Sequence, residues 1–229
     1  SVITWGNGNG GGRPCIVEGS GCDEDVLPCG ENVSSFLEED VIDLHSTEGA
    51  FAALKKDGSV ITWGSSSYGG MPCSYNDVSH ACVLDVSDAL TSGVSSIYST
   101  RKAFAVVKGN GGAVVSWGNC GAGGMLCTSK YMSSCSCELN VSSSVTGNVS
   151  TIYSTDRAFA AVKSNGSVIT WGSYGSGGMP CTYDGDECML DRSSFLDSNV
   201  SFVYSTSDAF AALKKDGSVI TWGSYSYGG

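Results

Sequence analysis

The sequence has few of the features on which metal binding, membrane insertion and nucleic-acid binding depend. It has 2 histidines and no C-x-x-C pair, so its cysteines do not follow a zinc-site pattern. No apolar run approaches the length that spans a bilayer. Lysine and arginine number 12 against 23 acidic residues, and the net charge of -11 repels phosphate backbones and anionic lipids. We therefore expect no nucleic acid, no membrane insertion and no cofactor.

Proline is also scarce, with 4 residues, whereas glycine accounts for 32 of the 229. Glycine is thus about twice as frequent as usual, and without proline this excess predicts tight turns rather than disorder. There is no initiator methionine and no signal peptide. We expect a processed chain or a window cut from a longer one.

Five tryptophans mark a tandem repeat. Each lies in the phrase "VITWG" or its variant "VVSWG", with spacings of 58, 54, 54 and 51 residues: Trp5, Trp63, Trp117, Trp171 and Trp222. A longer phrase at 50–70 recurs at 209–229 with a single changed letter. Such a period is typical of one supersecondary unit copied along the chain. Because every tryptophan has the same position in its unit, we expect these side chains to pack inside the repeated units.

Each unit is predicted to consist of short antiparallel strands. Segments such as "AFAALK" and "SVITWG" are too short for stable helices, and "DG" or "NG" between them indicates a hairpin. Asp57-Gly58, Asn165-Gly166 and Asp216-Gly217 predict two-residue turns with positive φ angles, whereas Gly109–Gly112 predicts a bulged or longer loop. We expect at least three strands, followed by a cysteine-containing excursion of roughly twenty residues.

The order "AFAAL", "DG", "SVITWG" and a glycine-rich tail resembles the repeat of the regulator of chromosome condensation family. The resemblance covers four complete periods and implies an all-β fold of tandem hairpin or blade units, either a β-propeller or an open array of such blades. The chain departs from the family in "GGMP" (Gly69–Pro72), where "GQLG" is usual, and in its added cysteines. It resembles a divergent, secreted, cysteine-rich version, and the fold alone does not carry the family's functions over.

We expect a single repeat region over residues 1–229. Its units span about 7–64, 65–118, 119–172 and 173–223, with partial units at 1–6 and 224–229. "SVITWG"-type strands occur five times, but "AFAAL"-type strands occur four times, at Phe51, Phe104, Phe159 and Phe210. The strand at 1–6 therefore lacks its hairpin arm. We expect that arm to come from a longer array or from a neighbouring subunit.

Eleven cysteines predict disulfides and an oxidising compartment. Their spacing recurs once per unit, and we expect local pairs: Cys15–Cys22, Cys73–Cys82, Cys127–Cys135 and Cys181–Cys188. Cys120 and Cys137 are then left to pair with each other around the third of these loops. Cys29 is either free, bonded outside this chain, or the partner of Cys15 in place of Cys22.

Five N-x-[ST] sequons predict N-glycosylation: Asn32, Asn140, Asn148, Asn165 and Asn199. Asn148 and Asn199 share one repeat position, which Asp40 and Gly93 occupy in the other units. Asn165 belongs to a hairpin turn, which projects from its blade. The competing explanation is that Asn and Ser are common in turns. Together with the cysteines, the sequons favour secretion from a eukaryotic cell.

No pattern predicts catalysis or a metal site. His45 stands where the other units have tyrosine, and His80 lies in a cysteine loop with no partner in view. The acidic clusters at 22–25 and 184–187 offer oxygen ligands of the kind calcium prefers, but neither completes an EF-hand loop. We interpret both as solvated loops, and we expect no enzyme.

These patterns favour a secreted, N-glycosylated, disulfide-stabilised structural or adhesive repeat protein that acts through assembly, for example as an extracellular fibre. Its expected partners are copies of itself, further repeats of the same chain, and N-linked glycans. The alternative is a secreted propeller that binds a ligand, as a lectin or an inhibitor does, through cysteine loops that differ between units ("SYNDVSHA" against "TYDGDE").

Overall fold

The computed structural model describes residues 2–3, 15–17, 31–76, 79, 81–109, 111–129, 139–140, 142–184 and 187–229. These residues form four five-stranded sheets that follow one another along the chain. The fold is all-β, as the sequence predicts. None of the short helices in the described segments has the length and apolar character needed to cross a membrane.

All four sheets are built from strands of two to six residues in the same succession. The first sheet contains β1 (Cys15–Val17), β2 (Glu31–Asn32), β3 (Val41–Ser46), β4 (Ala50–Lys55) and β5 (Val60–Ser65). The second contains β6 (Cys73–Asn76), β7 (Ala81–Asp85), β8 (Val94–Ser99), β9 (Ala103–Lys108) and β10 (Val114–Asn119). The third contains β11 (Cys127–Ser129), β12 (Leu139–Asn140), β13 (Val149–Ser154), β14 (Ala158–Lys163) and β15 (Val168–Ser173). The fourth contains β16 (Cys181–Asp184), β17 (Glu187–Asp191), β18 (Val200–Ser205), β19 (Ala209–Lys214) and β20 (Val219–Ser224).

The order within the second sheet is β7-β6-β10-β9-β8, and the other sheets repeat it. Neighbouring strands are antiparallel except β6 and β10, which run parallel with Gly118 opposite Ser74. The cysteine-containing segment was expected as an excursion after each unit. It is instead a hairpin, here called the cysteine hairpin (β6–β7 and its equivalents), that forms the outer edge of the following sheet. This placement depends on parallel pairing with a strand some forty residues away, and no local sequence pattern predicts such pairing.

The hairpin turns differ from the predicted two-residue type. The N–H of Lys55 donates to Ser59 O and the N–H of Gly58 donates to Lys55 O, both at 2.9 Å, so three residues form the loop. Gly58 has a φ of 79°, whereas the φ of Asp57 is not positive, so only the glycine has the left-handed backbone conformation. This is the three-residue turn that ends in a glycine bulge. The longer loop predicted at 109–112 is confirmed, since Lys108 bonds across it to Ala113.

Short 3₁₀ helices connect the strands at two recurring places. One set follows the fifth strand of each sheet: Ser66–Tyr68, Cys120–Ala122, Tyr174–Ser176 and Tyr225–Tyr227. The other precedes the third strand: Ser34–Leu37, Ser87–Leu90, Ser142–Val145 and Ser193–Phe195. Each helix of the second set leads to a left-handed residue, with φ between 62° and 72°: Asp40, Gly93, Asn148 and Asn199. Asn, Asp and Gly tolerate this backbone conformation better than other residues.

The core of each sheet is a tryptophan stacked on the phenylalanine of the adjacent strand. Trp117 and Phe104 face each other across β9 and β10, with ring centroids 5.3 Å apart. The same pair recurs in the other sheets: Phe51–Trp63, Phe159–Trp171 and Phe210–Trp222. These four tryptophans are fully buried. Their predicted packing role is confirmed, whereas Trp5 lies outside the described residues.

Apolar clusters join each sheet to the next. Between the first and second sheets, Ala52 and Leu54 pack with Ile97, Phe104 and other apolar side chains. Equivalent clusters join the second sheet to the third and the third to the fourth. Among the described residues, no strand of the fourth sheet pairs with a strand of the first. The four sheets are therefore propeller-like blades in an open array.

Candidate functional site: the contact face of the repeat

The turn between the fourth and fifth strands of each of the first three sheets presents a carbonyl to the next sheet. Gly58 O accepts the backbone N–H of Val94 at 2.9 Å. The equivalent bonds are Val149 to Gly112 at 3.1 Å and Val200 to Gly166 at 3.0 Å. A Cβ on Gly58 would lie 2.6 Å from the backbone nitrogen of Gly93. The two backbones can approach this closely only because the turn residue is glycine.

The segment after the fifth strand of each sheet, here called the tail, spans 66–70, 120–124, 174–178 and 225–229. The tails of the first three sheets each present a second carbonyl to the tryptophan of the next sheet. Gly69 O accepts the indole Nε1–H of Trp117 at 3.0 Å. The equivalent bonds are Trp171 to Gly123 and Trp222 to Gly177, both at 3.1 Å. Gly69 has a φ of 96°, and a Cβ there would lie 2.7 Å from the Phe104 ring. The tail therefore completes the Phe–Trp core of the neighbouring sheet.

The turn between the third and fourth strands of each sheet, here called the corner, supplies the third contact. The N–H of Glu48 donates to Arg101 O, and the N–H of Arg101 donates to Asp156 O, both at 3.0 Å. Asp156 continues the series by donating to Ser207 O at 2.9 Å. The corners of all four sheets thus form one chain of backbone bonds, which lines an open cavity of about 520 Å³.

A side-chain charge series runs alongside these corner bonds. The Arg101 guanidinium is hydrogen-bonded to the Glu48 carboxylate on one side and lies 3.4 Å from the Asp156 carboxylate on the other. The hydrogen bond with Glu48 and the charges of both carboxylates raise the pKa of Arg101. The fourth corner has Ser207 at this position and continues the backbone bonds but not the charge series.

A threonine that sequence inspection overlooked holds each corner to its own tail. Thr100 Oγ1 donates to Ala122 O at 2.9 Å and accepts the N–H of Ala103 at 3.0 Å. The equivalent threonines bond in the same way: Thr47, Thr155 and Thr206. The signal was present, because a threonine precedes every "AFA" strand by three residues. This hydroxyl fixes the tail in position to receive the next sheet.

On the fourth sheet the same contact face has nothing packed against it among the described residues. The side chain of Val219 is 57% exposed, whereas its equivalent Val60 in the first sheet is 8% exposed. A Cβ on Gly217 or Gly228 would meet no atom within 4 Å. We call this surface the open face, and it comprises Ser207, Ala211, Leu213, Gly217, Val219, Tyr225, Tyr227 and Gly228.

The first sheet exposes a side chain at a position where the second sheet contacts its predecessor. Leu44 on β3 is 45% exposed, whereas Ile97 at the same position of the second sheet is 2% exposed. Ile97 is buried because it enters the cluster formed with Ala52 and Leu54 of the preceding sheet. We call the corresponding surface of the first sheet the receiving face, and it comprises Leu37, Val41, Leu44 and Glu48.

The cysteine hairpins of the second and fourth sheets are closed by disulfides. Cys73 is bonded to Cys82 and Cys181 to Cys188, the pairs that the sequence spacing predicts. Cys120 is also disulfide-bonded, and its predicted partner Cys137 lies outside the described residues. Cys22, Cys29 and Cys135 lie outside them too, whereas the backbones of Cys15 and Cys127 begin β1 and β11.

Three of the sequon asparagines have described side chains, and all three are exposed: Asn148, Asn165 and Asn199. Asn165 Oδ1 accepts both the backbone N–H and the hydroxyl of Ser167, at 2.9 and 2.8 Å. The backbones of Asn32 and Asn140 lie in β2 and β12. Glycosylation at these five positions stays a prediction.

The remaining candidate residues do not converge on one place. His45 Nε2 lies 3.1 Å from the Asp43 carboxylate on β3, and it faces Ala52 as Tyr98 faces Ala105. His80 and the 22–25 cluster lie outside the described residues, and of the 184–187 cluster only the hairpin backbone is described. No group of three His, Cys, Asp or Glu side chains in the described segments has metal-binding geometry.

Comparison with known proteins identifies the fold. No family model and no curated protein sequence matches the chain. Yeast RCC1 (Prp20), solved with Kap60, is 16% identical with a TM-score of 0.53, over 96% of this chain and 51% of that one. Prp20p of Saccharomyces cerevisiae, solved separately, is 15% identical with a TM-score of 0.50, over 96% and 52%. Human WBSCR16 is 18% identical with a TM-score of 0.49, over 95% and 55%.

The four sheets therefore have the repeat fold of the regulator of chromosome condensation proteins, the resemblance indicated by the sequence. The chain spans about half the length of the solved proteins that it matches. At such low identity the likeness shows the fold alone.

Proposed function

We propose that this chain is a structural repeat protein that acts by assembly, joining further repeats through the same face that joins its own sheets. The phrase at 50–70 forms most of the surface on which the second sheet packs, and the phrase at 209–229 copies it with one changed letter, Ser66 to Tyr225. On the fourth sheet this surface is exposed. That observation carries the proposal, because a surface already used for packing is reproduced where no described residue covers it.

The expected strength of such contacts supports assembly. Burying an exposed valine side chain contributes about 1.5–3 kcal/mol, and a tyrosine adds the large apolar area of its ring. The open face presents Val219, Tyr225 and Tyr227, each more than half exposed. It also presents two glycine carbonyls that are bonded to the next sheet at the equivalent positions of the first three sheets. An apolar patch with aligned hydrogen-bonding groups is typical of a protein–protein contact.

We further propose that the protein is secreted and N-glycosylated, and that its assembled form is an extracellular fibre. Disulfides such as Cys73–Cys82 persist in oxidising compartments. The exposed sequons suit modification in the secretory pathway. Its partners would be copies of itself or further repeats of the same polypeptide, along with the attached glycans.

The test is the state of the secreted chain over a range of concentrations. We expect size-exclusion chromatography with light scattering to show growth with concentration, and electron microscopy to show linear or ring-shaped particles. Val219→Asp should abolish growth. Phe195→Asp is the matched control, because Phe195 is similarly exposed but adjoins Leu196, which bonds to the third sheet. A chain that stays monomeric at every concentration contradicts the proposal.

A second candidate function is ligand binding beside the cysteine hairpins. An apolar groove of about 390 Å³ between the second and third sheets is lined by Leu84, Val115 and Met125, among others. Ser116 Oγ is buried at this groove and has no hydrogen-bond partner among the described residues. A lectin-like or inhibitory module would use such a groove together with the variable hairpin tips. Screening for oligosaccharide and protein ligands with the Ser116→Ala variant as control tests this alternative.

A further inference from the structure

Val2 is attached to the first sheet in the way that one complete sheet is attached to the next. Its backbone N–H donates to Leu37 O at 3.0 Å, and its side chain packs against the cluster of Val33, Leu37 and Trp63. At the boundary of the third and fourth sheets, Val168 donates to Leu196 O at 2.8 Å. Val2 therefore occupies the position of the first valine of a "VITWG" strand in a preceding sheet.

The open face carries the same valine in the same sequence. Residues 1–6 and residues 218–223 both read "SVITWG", so Val2 corresponds to Val219. Val219 is more than half exposed. One chain thus holds a valine bound to its first sheet and an identical hexapeptide whose valine is exposed on its last sheet.

We infer that the open face of one copy binds the receiving face of a second copy, and that Val219 of the first copy takes the place of Val2 in the second. The inference rests on the proposed assembly and specifies its partner and its geometry. The contact is heterologous, because two different surfaces meet, and such contacts generate closed rings or open filaments.

The apolar groups of the two faces complement each other. Within the chain, Ile97 is buried among Ala50, Ala52, Leu54 and Val60 of the preceding sheet. The fourth sheet repeats these four residues as Ala209 and, on the open face, Ala211, Leu213 and Val219, and the receiving face presents Leu44 at the position of Ile97. Joining the two faces would bury Leu44 and Val219 as Ile97 and Val60 are buried now.

The backbone groups also complement each other. Gly217 O and Ser207 N–H of the open face correspond to Gly58 O and Glu48 N–H, which are bonded to the second sheet. The receiving face presents Val41 and Glu48 at the positions of Val94 and Arg101, the partners in those bonds. The new contact would therefore repeat the bonding of the three internal boundaries.

The free energy of association depends on the exchange of Val2 for Val219. Val2, which would leave the receiving face, and Val219, which would replace it, belong to the same hexapeptide sequence, so the contributions of the two valines largely cancel. What remains is the burial of Leu44 and of the β19 side chains, opposed by the loss of translational and rotational freedom on association. Exchange of an identical element between copies is a low-cost route to assembly.

Two variants that each block one face provide the decisive experiment. Val219→Asp disables the open face and Leu44→Asp disables the receiving face, so each protein alone should be monomeric. An equimolar mixture should form a dimer and stop there, because each variant retains one intact face. Ile42→Asp is the matched control for Leu44, since Ser95 and Ser150 at its position stay exposed at internal boundaries. It should assemble as the unaltered chain does.

A second comparison tests the exchange of Val2. Val2→Asp should release the receiving face and lower the concentration for half-assembly roughly tenfold, in line with the burial of one valine. Ile3 is exposed and serves as the control, so Ile3→Asp should change nothing. Weaker assembly of Val2→Asp would overturn the exchange.

The outcomes separate this inference from the proposed function. If the unaltered chain assembles but the mixture of blocked variants stays monomeric, the head-to-tail geometry is wrong and assembly uses another surface. If the unaltered chain does not assemble at all, both proposals fail. Near-ultraviolet circular dichroism of each variant verifies that its sheets are intact.

Discussion

The carbonyl oxygen of Gly123 accepts a hydrogen bond from the indole of Trp171 at 3.1 Å, although the two residues belong to different sheets and are 48 positions apart. Every internal boundary contains this pair. The second, third and fourth sheets therefore each complete their core with a piece of the preceding sheet. Stability in such an array is the sum of the units and of their nearest-neighbour contacts.

The tail glycines should differ in their tolerance of a side chain according to whether a sheet follows them. Gly123→Ala places a Cβ 2.6 Å from the Phe159 ring at a φ of 93°. Gly228→Ala has a similar φ of 97° but meets no atom within 4 Å. We expect Gly123→Ala to lower the free energy of unfolding by about 2–4 kcal/mol and Gly228→Ala by about 1 kcal/mol in the monomer.

Urea denaturation of both glycine variants at a concentration that keeps the chain monomeric measures this difference. Equal losses would show that backbone strain alone sets the cost and that the contact with Phe159 contributes little.

Acid should destabilise the fold through four turn aspartates. The hydroxyl and N–H of Ser59 bond to Asp57 and lower the pKa of its carboxyl below the ordinary 3.8. Bonds from the serine two positions later likewise lower the pKa of the other three: Asp85, Asp191 and Asp216. Because each pKa is lower in the folded state, the stabilisation is complete above the unfolded value and is lost as the pH falls through the folded values.

Replacing these four aspartates with asparagine should flatten the loss of stability below about pH 4. Asparagine keeps the bonds, because Asn165 accepts the same pair from Ser167 in the third sheet. Thermal melting from pH 2 to pH 6 compares the variant with the unaltered chain. An unchanged slope would assign the acid sensitivity to other carboxylates.

The disulfides should link cysteines within single units. We expect non-reducing peptide maps to join Cys73 with Cys82 and Cys181 with Cys188, as in the structure. They should also join the pairs predicted from sequence: Cys15–Cys22, Cys120–Cys137 and Cys127–Cys135. Removing Cys73 and Cys82 together should cost about 2–3 kcal/mol, because their loop is short. A map that links different units would overturn this assignment.

Cys29 is the odd cysteine, and its state should be visible on a denaturing gel. A covalent link between copies predicts a dimer band that disappears on reduction. A monomer band in both lanes, with one thiol that reacts with iodoacetamide, would show that Cys29 is free.

Asn148 should respond differently to glycine and to alanine. Its φ of 62° suits glycine, which occupies the equivalent position as Gly93, but is strained for alanine. Both Asn148→Gly and Asn148→Ala remove the sequon, so both should lose the mass of one glycan when secreted from eukaryotic cells. Only the alanine variant should lose stability, by about 1–2 kcal/mol. Unchanged masses would show that Asn148 is not glycosylated.

The sequence was most informative about features that depend on nearby residues. Trp117 and Phe104 lie on strands joined by a short loop, so their stacking could be inferred from the repeat. The type of turn at Asp57-Gly58 could not, because a three-residue turn with a bulge also requires glycine at that position.

Features that depend on pairing between residues far apart in the chain could not be predicted from the sequence. The parallel contact of Gly118 with Ser74 assigns the cysteine hairpin to the following sheet, and nothing local to either strand specifies it. The left-handed backbone of Asn199 was not predicted for a different reason, because its N-x-S pattern also indicates glycosylation. The role of Thr100 becomes visible only when its tail carbonyl is in place.

The placement of the cysteine hairpins has a mechanical consequence. The chain passes from one sheet to the next through strands such as β6, whose parallel bonds with β10 would bear tension in shear when the array is pulled from its ends. Cys73 and Cys82 have a sequence separation of 9. Because they are bonded, the segment between them, about 30 Å long when fully extended, cannot be pulled out. A stretched array would therefore lengthen in steps that are shorter than its sequence allows, and its hairpins would stay folded as neighbouring sheets separate.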